Sequence, residues 1–224
     1  MAEGYKTVIE FINSGYQIEE IYHTIPVAPK LLKLSANLNI NEISLNELTR
    51  VSSLSTPPEV IALIRIPQQA ALTTAMLKNN YTLVLDGVQD PGNMGTIIRT
   101  ADWFGMPHII CSDDFGDVYN PKVVQATMGS LARVKVHYTA LQMAIPALQL
   151  PVYGALLNGA NIYNTNFAPG GLILLGNEGN GIRPDVQRLI GTGVTIPRAG
   201  AAESLNVAVA AAIFCSEACR NRLK

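Results

Sequence analysis

Charged side chains are scarce in this chain of 224 residues, where Asp, Glu, Lys and Arg together make up 15%, against about 25% in an average soluble domain. The 16 basic and 17 acidic residues nearly cancel, so the composition gives no sign of a nucleic-acid partner. Hydrophobic residues nevertheless reach 48%, which excludes an intrinsically disordered chain and is enough to form a core. Any nucleic-acid partner must therefore be inferred from motifs.

Long hydrophobic runs and cysteine pairs are also missing. No apolar run approaches the roughly 20 residues of a membrane span, and the first residues contain no signal-peptide hydrophobic region. The three cysteines, Cys111, Cys215 and Cys219, form no CxxC pair, which argues against a disulfide framework and against a zinc site. We expect a cytoplasmic protein with buried thiols, no membrane association and no metal.

Three widespread ligand and nucleophile motifs do not occur in the chain. The sequence contains neither G-x-G-x-x-G, nor G-x-x-x-x-G-K-[ST], nor G-x-S-x-G. This excludes the dinucleotide fingerprint, the P-loop and the nucleophile elbow as the basis of a function.

The first part of the chain alternates short helical and extended patterns, which is typical of a small α/β unit. Hydrophobic spacing predicts two helices and two strands, over residues 5–13, 28–38, 18–22 and 60–66. Ser44 and Glu47 form a capping-box pattern that predicts a further helix ending near Ser52. Pro67 and the polar stretch 68–80 indicate a domain boundary.

From residue 81 the pattern changes to buried strands that alternate with glycine-bearing loops and helices. Strands are predicted over residues 82–85, 108–111, 152–157, 172–175 and 194–196. Helices are predicted over residues 94–104, 121–131, 140–148 and 203–221. Because these strands lack apolar–polar alternation, we expect a parallel sheet that is covered by helices on both faces.

The first candidate site follows the strand predicted at 82–85. Its sequence, D-G-V-Q-D-P-G-N-M-G over residues 86–95, leads through a turn-rich loop into a helix that carries Arg99. Ligands of open parallel sheets bind at the carboxyl ends of strands, where this loop lies. If Asn93 caps the helix, Arg99 lies almost two turns further along and can face the same cleft. The segment alone leaves open that Asn93 is only a cap and Arg99 only a surface charge.

The second candidate is a glycine-rich turn, G-N-E-G-N-G over residues 176–181, at the end of a predicted strand. Glycine lets the backbone approach a ligand closely and permits positive φ. Glu178 inside this turn could orient a ligand or cap a helix. Taken alone, the segment is equally well an ordinary turn.

The third candidate places Glu203, Ser204 and Asn206 at the start of a strongly apolar helix. The simplest interpretation is that Ser204 or Glu203 caps the helix and that Asn206 satisfies the remaining amides. Small residues form one face of this helix: Ala208, Ala211 and Ala212. Such a face needs a partner surface, so we expect close helix packing or a homodimer interface.

Three segments resemble, in order, the three signature motifs of the SpoU (TrmH) RNA ribose 2'-O-methyltransferases. They are D-G-V-Q-D-P-G-N-M-G-T-I-I-R-T-A, L-L-G-N-E-G-N-G-I and I-P-x-x-G-x-x-E-S-L-N-V-A-V-A-A-A-I. The resemblance spans residues 83–214. Residues 3–66 look like the L30e-like substrate-binding domain of such proteins, through A-E-G at the start and the α/β alternation. Family members usually carry a stretch before this A-E-G. The resemblance therefore implies a truncated or unusual start, and missing basic residues would account for the neutral charge.

The resemblance implies a SPOUT fold, in which the C-terminal segment of a parallel sheet is threaded into a trefoil knot. We therefore expect an L30e-like RNA-binding domain over residues 1–70 and a knotted SpoU-type methyltransferase domain over residues 71–224. The resemblance further implies S-adenosyl-L-methionine bound in the knot, an active site at a homodimer interface and no metal. Periodicity by itself gives no indication of a knot, which is rare among folds.

Position by position, the family's cofactor site corresponds to Gly176, Ile196 and Leu205, together with the loop at Leu157 and Asn158. Its catalytic or active-site polar positions correspond to Asn93, Arg99, Glu178, Ser204 and Asn206. Two residues depart from the family pattern: Arg198 replaces a common Met, and Ala208 replaces a common Ser. These departures affect the details of the pocket and leave the class unchanged.

Methyl transfer to a ribose hydroxyl requires a polarised O–H, a held phosphate and an aligned sulfonium. Arg99 is discussed in this family as a general base. Because a guanidinium keeps its proton with a pKa above about 12, we favour a phosphate and hydroxyl anchor. A 2'-hydroxyl acceptor implies RNA, either rRNA or tRNA, and not DNA.

Two other classes of function stay open. A non-catalytic RNA- or cofactor-binding protein on the same fold would keep the glycines but lose Arg99 or Asn206, and this chain keeps both. An unrelated parallel α/β enzyme that binds another nucleotide would show its own phosphate loop.

Overall fold

The computed structural model describes residues 1–25, 38–114 and 116–222, which contain two β-sheets. The smaller sheet is built from β1 (Ala2–Glu3), β2 (Ile18–His23), β3 (Ile40–Glu42) and β4 (Val60–Ile64). Its strand order is β1-β4-β2-β3, with β4 antiparallel to β1 and β2, and β3 parallel to β2. Among residues 1–25 and 38–66, two helices accompany it, α1 (Tyr5–Asn13) and α2 (Leu45–Val51).

The predictions for this amino-terminal part are confirmed for α1, β2 and α2. The capping box has formed, because the Glu47 amide donates to Ser44 Oγ (3.3 Å) and the Ser44 amide donates to Glu47 Oε2 (2.9 Å). Strand β4 ends at Ile64, two residues before its predicted end, and Ile66 is exposed. Strands β1 and β3 were not predicted, because two or three residues carry too little periodicity. The helix predicted over 28–38 lies outside the described residues except for its last position.

The larger sheet contains six strands that are all parallel. They are β5 (Tyr81–Asp86), β6 (His108–Cys111), β7 (Lys135–Tyr138), β8 (Val152–Asn161), β9 (Gly171–Gly176) and β10 (Thr192–Thr195). Their order is β10-β8-β9-β5-β6-β7. The predicted parallel sheet is therefore confirmed. The sequence analysis did not predict strand β7. This strand lies at the edge of the sheet, where Lys135 is exposed, and its sequence K-V-H-Y is not an apolar run.

Six helices accompany the larger sheet in the described part of the chain. They are α3 (Thr74–Leu77), α4 (Pro91–Trp103), α5 (Pro121–Ala126), α6 (Leu141–Leu148), α7 (Pro184–Gln187) and α8 (Val207–Cys219). The prediction of one helix over 121–131 was wrong. Met128 and Gly129 have φ angles of 49° and 91°, which a right-handed helix cannot contain. A separate 3₁₀ turn follows at Ser130–Ala132.

The core lies on both faces of the larger sheet. On one face α4 and α8 pack together, and the buried side chains of Ile97, Ala101, Ala211 and Phe214 belong to one hydrophobic cluster. Ala208 and Ala211 are thus buried inside the chain, with exposed fractions of 4% and 0%. The prediction of close helix packing is confirmed, whereas these two alanines do not form a free surface for a dimer.

The two sheets share this hydrophobic cluster, because Val8 and Phe11 of α1 belong to it. Arg133 adds polar contacts across the same junction, where its guanidinium pairs with Glu10 and with Asp102 (Nη2–Oδ2 2.7 Å). The structure therefore fixes the smaller sheet against the segment around residues 130–133.

The predicted buried thiols are confirmed, since Cys111, Cys215 and Cys219 are all free and buried. Burial raises the pKa of each thiol. Within residues 1–25, 38–114 and 116–222, no helix is long and apolar enough to cross a membrane. The same residues contain no group of three or more His, Cys, Asp or Glu that could hold a metal ion.

Candidate functional site

The predicted site segments lie at the carboxyl edge of the larger sheet. Strands β10, β8, β9 and β5 are neighbours in that order, and all are parallel, so their carboxyl ends meet at one edge. The segments around residues 87–93, 177–181 and 196–206 follow β5, β9 and β10, and the segment at residues 155–159 lies within β8. Segments far apart in sequence are therefore brought together by the order of the strands.

Asn93 connects all three motif segments through its side-chain amide. Its Nδ2 donates to Glu178 Oε1 at 2.6 Å. Its Oδ1 accepts a hydrogen bond from Asn206 Nδ2 at 2.9 Å. Glu178, Asn93 and Asn206 thus form a continuous hydrogen-bonded triad, although they are 85 and 113 positions apart in sequence. The triad is accessible from solvent, because Glu178 and Asn206 are exposed.

The amino end of α4 explains why the Asn93 side chain is available for this role. Asp90 is the N-cap, and its Oδ1 accepts a hydrogen bond from the Asn93 amide at 2.7 Å. The interpretation of Asn93 as the helix cap was therefore wrong. Asn93 is the third residue of the helix, and its side chain points to the other two motifs.

The amino end of α8 differs from the prediction in a similar way. Asn206 is the N-cap, and its Oδ1 accepts hydrogen bonds from the amides of Ala208 (2.9 Å) and Val209 (3.2 Å). The prediction of a cap by Ser204 or Glu203 was wrong, because both residues lie in the exposed loop before the helix. The cap fixes the Asn206 amide and directs its Nδ2 to Asn93.

The turn at residues 177–181 is held by its own hydrogen bonds. The Asn177 amide donates to the Gly181 carbonyl (3.0 Å), and the Gly181 amide donates to the Asn177 carbonyl (2.9 Å). A Cβ at Gly176 would overlap the backbone of Gly181 and Ile182. Glycine is therefore required at 176 for this close return of the chain, and Glu178 is presented at the tip.

Arg99 lies on α4 nearly two turns beyond Asn93, and its side chain is exposed. It has no hydrogen-bond or ion-pair partner among the residues that the structure describes. Arg99 lines an open groove of about 580 Å³ together with Trp103, Met128 and Ala212. Trp103 is 83% exposed. The groove therefore combines an unpaired positive charge with an accessible aromatic ring.

The residues predicted to hold a cofactor also lie at this edge. Strand β8 pairs with β10 at Gly154 and again at Ala160, so the five residues between them form a bulge within the strand, and not the loop that was expected at Leu157 and Asn158. Leu157, in this bulge, is 79% exposed, and its carbonyl accepts a hydrogen bond from Thr195 Oγ1 at 3.2 Å. Asn158 is also exposed.

The remaining predicted positions are divided between the sheet edge and the loop before α8. Gly176 ends β9, and Ile196 directly follows β10 and packs partly against the core. Leu205 is 49% exposed beside the cap residue Asn206. Ser204 is exposed and makes no hydrogen bond to Glu178, Asn93 or Asn206. Of the five predicted active-site polar residues, the structure thus joins Asn93, Glu178 and Asn206, whereas Ser204 and Arg99 make no hydrogen bond to these three side chains.

Sequence reasoning missed an ionic cluster beside the triad. Asp86, at the end of β5, is buried and pairs with Arg183, which also reaches Asp114. Hydrogen bonding to Asp86, together with the nearby carboxylate charges, raises the pKa of Arg183. The sequence signal that could have indicated this cluster is Asp86 itself, a carboxylate at the last position of a largely apolar buried strand.

Comparisons with known proteins identify the family of the chain. Residues 80–216 match the model of the SpoU rRNA Methylase family. The 23S rRNA (guanosine(2553)-2'-O)-methyltransferase RlmP of Bacillus subtilis is 33% identical over 185 residues, covering 81% of this chain and 73% of that protein. The 23S rRNA (guanosine-2'-O-)-methyltransferase RlmB of Acinetobacter baylyi is 29% identical over 208 residues, covering 87% of this chain and 84% of that protein.

Solved structures of related methyltransferases are similar to this chain over nearly its whole length. A putative RNA methyltransferase of the TrmH family from Porphyromonas gingivalis has a TM-score of 0.87 and 37% identity, covering 98% of this chain and 89% of that one. AviRb, a SpoU methyltransferase from Streptomyces viridochromogenes in complex with the cofactor AdoMet, has a TM-score of 0.84 and 26% identity, covering 99% and 89%. The three motifs, the parallel sheet and these matches together show that the chain belongs to the SpoU rRNA methylase family.

Proposed function

We propose that this protein transfers a methyl group from S-adenosyl-L-methionine to a ribose 2'-hydroxyl of RNA. The observation that carries the proposal is the hydrogen-bonded triad of Glu178, Asn93 and Asn206 at the carboxyl edge of the sheet. All three side chains come from the motifs that characterise the family. Curated relatives are named 23S rRNA 2'-O-methyltransferases, which favours rRNA as the substrate over tRNA.

The residues at the sheet edge fit S-adenosyl-L-methionine. The chain returns so closely at Gly176 that no side chain fits there, which leaves backbone groups to face a ligand. Leu157 and Leu205 offer exposed apolar side chains, and Ile196 a half-buried one, suited to the faces of an adenine ring. When bound, this cofactor supplies the electrophilic methyl group. We propose Gly176, Ile196, Leu205, Leu157 and Asn158 as the residues that hold it.

The polar residues position the RNA and its acceptor hydroxyl. Arg99, exposed and unpaired among the described residues, is suited to bind a phosphate and to hydrogen-bond the hydroxyl. Asn93 and Asn206 fix each other's amides and leave Glu178 oriented beside them. Ser204, on the exposed loop before α8, is proposed to join this set when RNA is bound. Such preorganised polar groups lower the barrier because they need no rearrangement during the reaction.

A non-catalytic binding protein on the same fold is the alternative. The intact triad and the free guanidinium of Arg99 favour catalysis, because cofactor binding alone would not require them. A 2'-hydroxyl acceptor also favours RNA over DNA, and methylation of rRNA agrees with a cytoplasmic location.

We further propose the domain division and the knot that the family implies. Residues 1–70 form an L30e-like RNA-binding domain, and residues 71–224 form the methyltransferase domain. The separate four-stranded and six-stranded sheets support this division. The trefoil knot is inferred from the family to which the chain belongs.

A homodimer is proposed through the exposed side of α8, and not through its buried alanines. Val209 is 48% exposed, and Ala212, one turn later, lines the groove with Trp103 and Met128. These side chains form an apolar surface next to Arg99, so a second copy there would lie beside the active site. Light scattering at micromolar concentration should give twice the chain mass. A monomeric mass would contradict the dimer.

Transfer of labelled methyl groups from S-adenosyl-L-methionine to total rRNA and tRNA tests the proposed function. Nuclease digestion should release 2'-O-methylated nucleosides, with the label in rRNA. Asn93→Ala removes the centre of the triad and should abolish the transfer, whereas Lys78→Ala, at an exposed position before β5 on the opposite edge of the larger sheet, should not. Label on a base, or transfer that is unaffected by Asn93→Ala, would contradict the proposal.

A further inference from the structure

Both oxygens of a buried carboxylate at the end of β5 accept hydrogen bonds from a single residue of a distant segment. The Asp86 side chain has an exposed fraction of 0%. Its Oδ2 accepts a hydrogen bond from the Arg183 backbone amide at 2.7 Å, and its Oδ1 accepts one from Arg183 Nε at 2.7 Å. Arg183 Nη2 also contacts Oδ1. A buried charge is stable only when it is paired in this way, so the segment carrying Arg183 is fixed to the end of β5.

The same guanidinium reaches a third segment. Arg183 Nη1 donates to Asp114 Oδ2 at 3.1 Å, in the turn that follows β6. A hydrogen bond from Ser112, assisted by the charge of Arg183, lowers the pKa of Asp114. Ser112 Oγ in turn accepts a hydrogen bond from the Gly87 amide at 3.0 Å. Arg183 therefore joins the carboxyl ends of two neighbouring strands, β5 and β6.

Arg183 lies two residues after the turn at 177–181, and this turn is attached at its other end as well. Asn177 Nδ2 donates to the Gly87 carbonyl at 2.8 Å. Asn177 Oδ1 accepts hydrogen bonds from the amides of Gly179 (2.8 Å) and Asn180 (3.1 Å). The turn is thus tied to the end of β5 both before and after Glu178. Loss of either tie would release the tip that contacts Asn93.

We propose that Arg183, through Asp86 and Asp114, is a positioning residue that holds the turn at 177–181 in the conformation that binds S-adenosyl-L-methionine. It controls cofactor affinity through the turn and does not touch the reacting atoms. The cofactor part of this inference rests on the proposed function. The ordering of the turn rests only on the contacts of Asp86, Asn177 and Arg183.

Three variants test the proposal without leaving an unpaired charge in the interior. Asp86→Asn combined with Arg183→Gln replaces the ion pair by neutral groups of similar size. Arg183→Lys keeps the charge but loses the planar fork, and Asp114→Asn weakens only the outer contact. Arg65→Ala is the control, because Arg65, directly after β4, forms an exposed ion pair with Glu19 of β2 (2.7 Å).

Calorimetric titration with S-adenosyl-L-methionine and amide hydrogen exchange of residues 177–182 are measured for each protein, beside thermal unfolding. We expect the double variant to raise the dissociation constant about tenfold, which corresponds to about 1.4 kcal/mol. Exchange across the turn should become faster in parallel. Arg183→Lys and Asp114→Asn should give smaller changes of the same sign, and Arg65→Ala none. In methylation assays, KM for the cofactor should rise while kcat at saturation stays within about threefold.

A purely structural ion pair would lower the melting temperature and leave the dissociation constant and the exchange of the turn unchanged. That result would overturn the proposal. If the wild-type protein does not bind S-adenosyl-L-methionine, the proposed function fails, together with the role of Arg183 in affinity. Faster exchange in the double variant would then still support the ordering of the turn by Arg183.

Discussion

Individual side chains in this site perform two tasks at once. Asn206 caps α8 with its Oδ1 and orients Asn93 with its Nδ2, so the stability of a helix and the geometry of the site depend on one amide. Asp90 caps α4 and thereby leaves Asn93 free. Arg99, in contrast, has no partner among the described residues, which suits a group that binds a ligand.

Arg99→Ala should separate catalysis from cofactor binding. The side chain lies on α4 and not on the segments at 176, 196 and 205 that are proposed to hold the cofactor, so affinity for S-adenosyl-L-methionine should stay nearly unchanged. Loss of contacts to a charged group should lower the methylation rate by about 10² to 10³, or 3 to 4 kcal/mol. Arg99→Lys should recover little of it, because the planar fork is lost. Calorimetry measures the cofactor affinity, and single-turnover methylation measures the rate. A rate near that of the wild type would show that Arg99 is only a surface charge.

The buried pair of His108 and His137 predicts a loss of stability at mildly acidic pH. Their Nδ1 and Nε2 atoms are 3.0 Å apart. Burial, together with the charge of Lys135, lowers both pKa values below the ordinary 6.5, and the neighbouring His108 lowers that of His137 further. At mildly acidic pH, these two histidines therefore bind more protons in the unfolded chain than in the folded one. The free energy of unfolding is highest above pH 6.5 and falls as the pH drops toward the pKa values of the folded state. The decrease is at most about 1.4 kcal/mol per pH unit for each proton that the unfolded chain binds in excess.

Urea unfolding at about pH 7.5 and about pH 5.5 measures this loss. The double variant His108→Gln and His137→Gln should show a smaller decrease in the free energy of unfolding over the same interval. An equal decrease in both proteins would assign the pH dependence to other groups.

At the scale of elements, the site depends on backbone segments that pass very close to each other. The turn after β9 folds against Gly176, and β8 passes β10 at Gly159, where a Cβ would overlap the backbone of Gly193 and Val194. Gly176 is itself a proposed cofactor residue, and Gly159 follows Asn158. Glycine thus allows neighbouring segments to form one continuous binding surface.

Gly176→Ala should displace the turn at 177–181. The added Cβ overlaps backbone, which cannot rotate away, so we expect a loss of stability of about 1 to 3 kcal/mol and severely weakened cofactor binding. Gly116→Ala is the control, because nothing lies within 4 Å of a Cβ there. Denaturant unfolding and calorimetric titration measure the two effects. Wild-type cofactor affinity in Gly176→Ala would remove Gly176 from the binding site.

At the scale of the whole molecule, cofactor binding should stabilise the fold, because the proposed ligand joins loops from β8, β9 and β10. At about 100 times the dissociation constant the gain is roughly 2.7 kcal/mol, or very roughly 5 to 10 °C in melting temperature for a chain of this size. Thermal scans with S-adenosyl-L-methionine, NAD and ATP measure it. A shift with NAD or ATP and none with S-adenosyl-L-methionine would contradict the cofactor assignment.

The sequence by itself determined the local features and the family. Apolar runs without alternation identified five of the six parallel strands, and the capping box at Ser44 was read correctly, because both signals involve residues close in sequence. The three motifs predicted a set of five active-site polar residues, and the match over residues 80–216 confirms the family. The five are Asn93, Arg99, Glu178, Ser204 and Asn206.

Only the tertiary structure decided which side chains meet and which are hidden. Burial of Ala208 and Ala211 against α4 depends on the approach of segments that local periodicity does not describe. The caps Asp90 and Asn206 are local contacts, but each lies near other residues that can cap a helix, so the sequence did not single them out. The pairing of Asp86 with Arg183 joins positions 97 residues apart. Hydrogen bonds and ion pairs of this kind are set by strand order and loop path, and therefore become visible only when the sheet has been assembled.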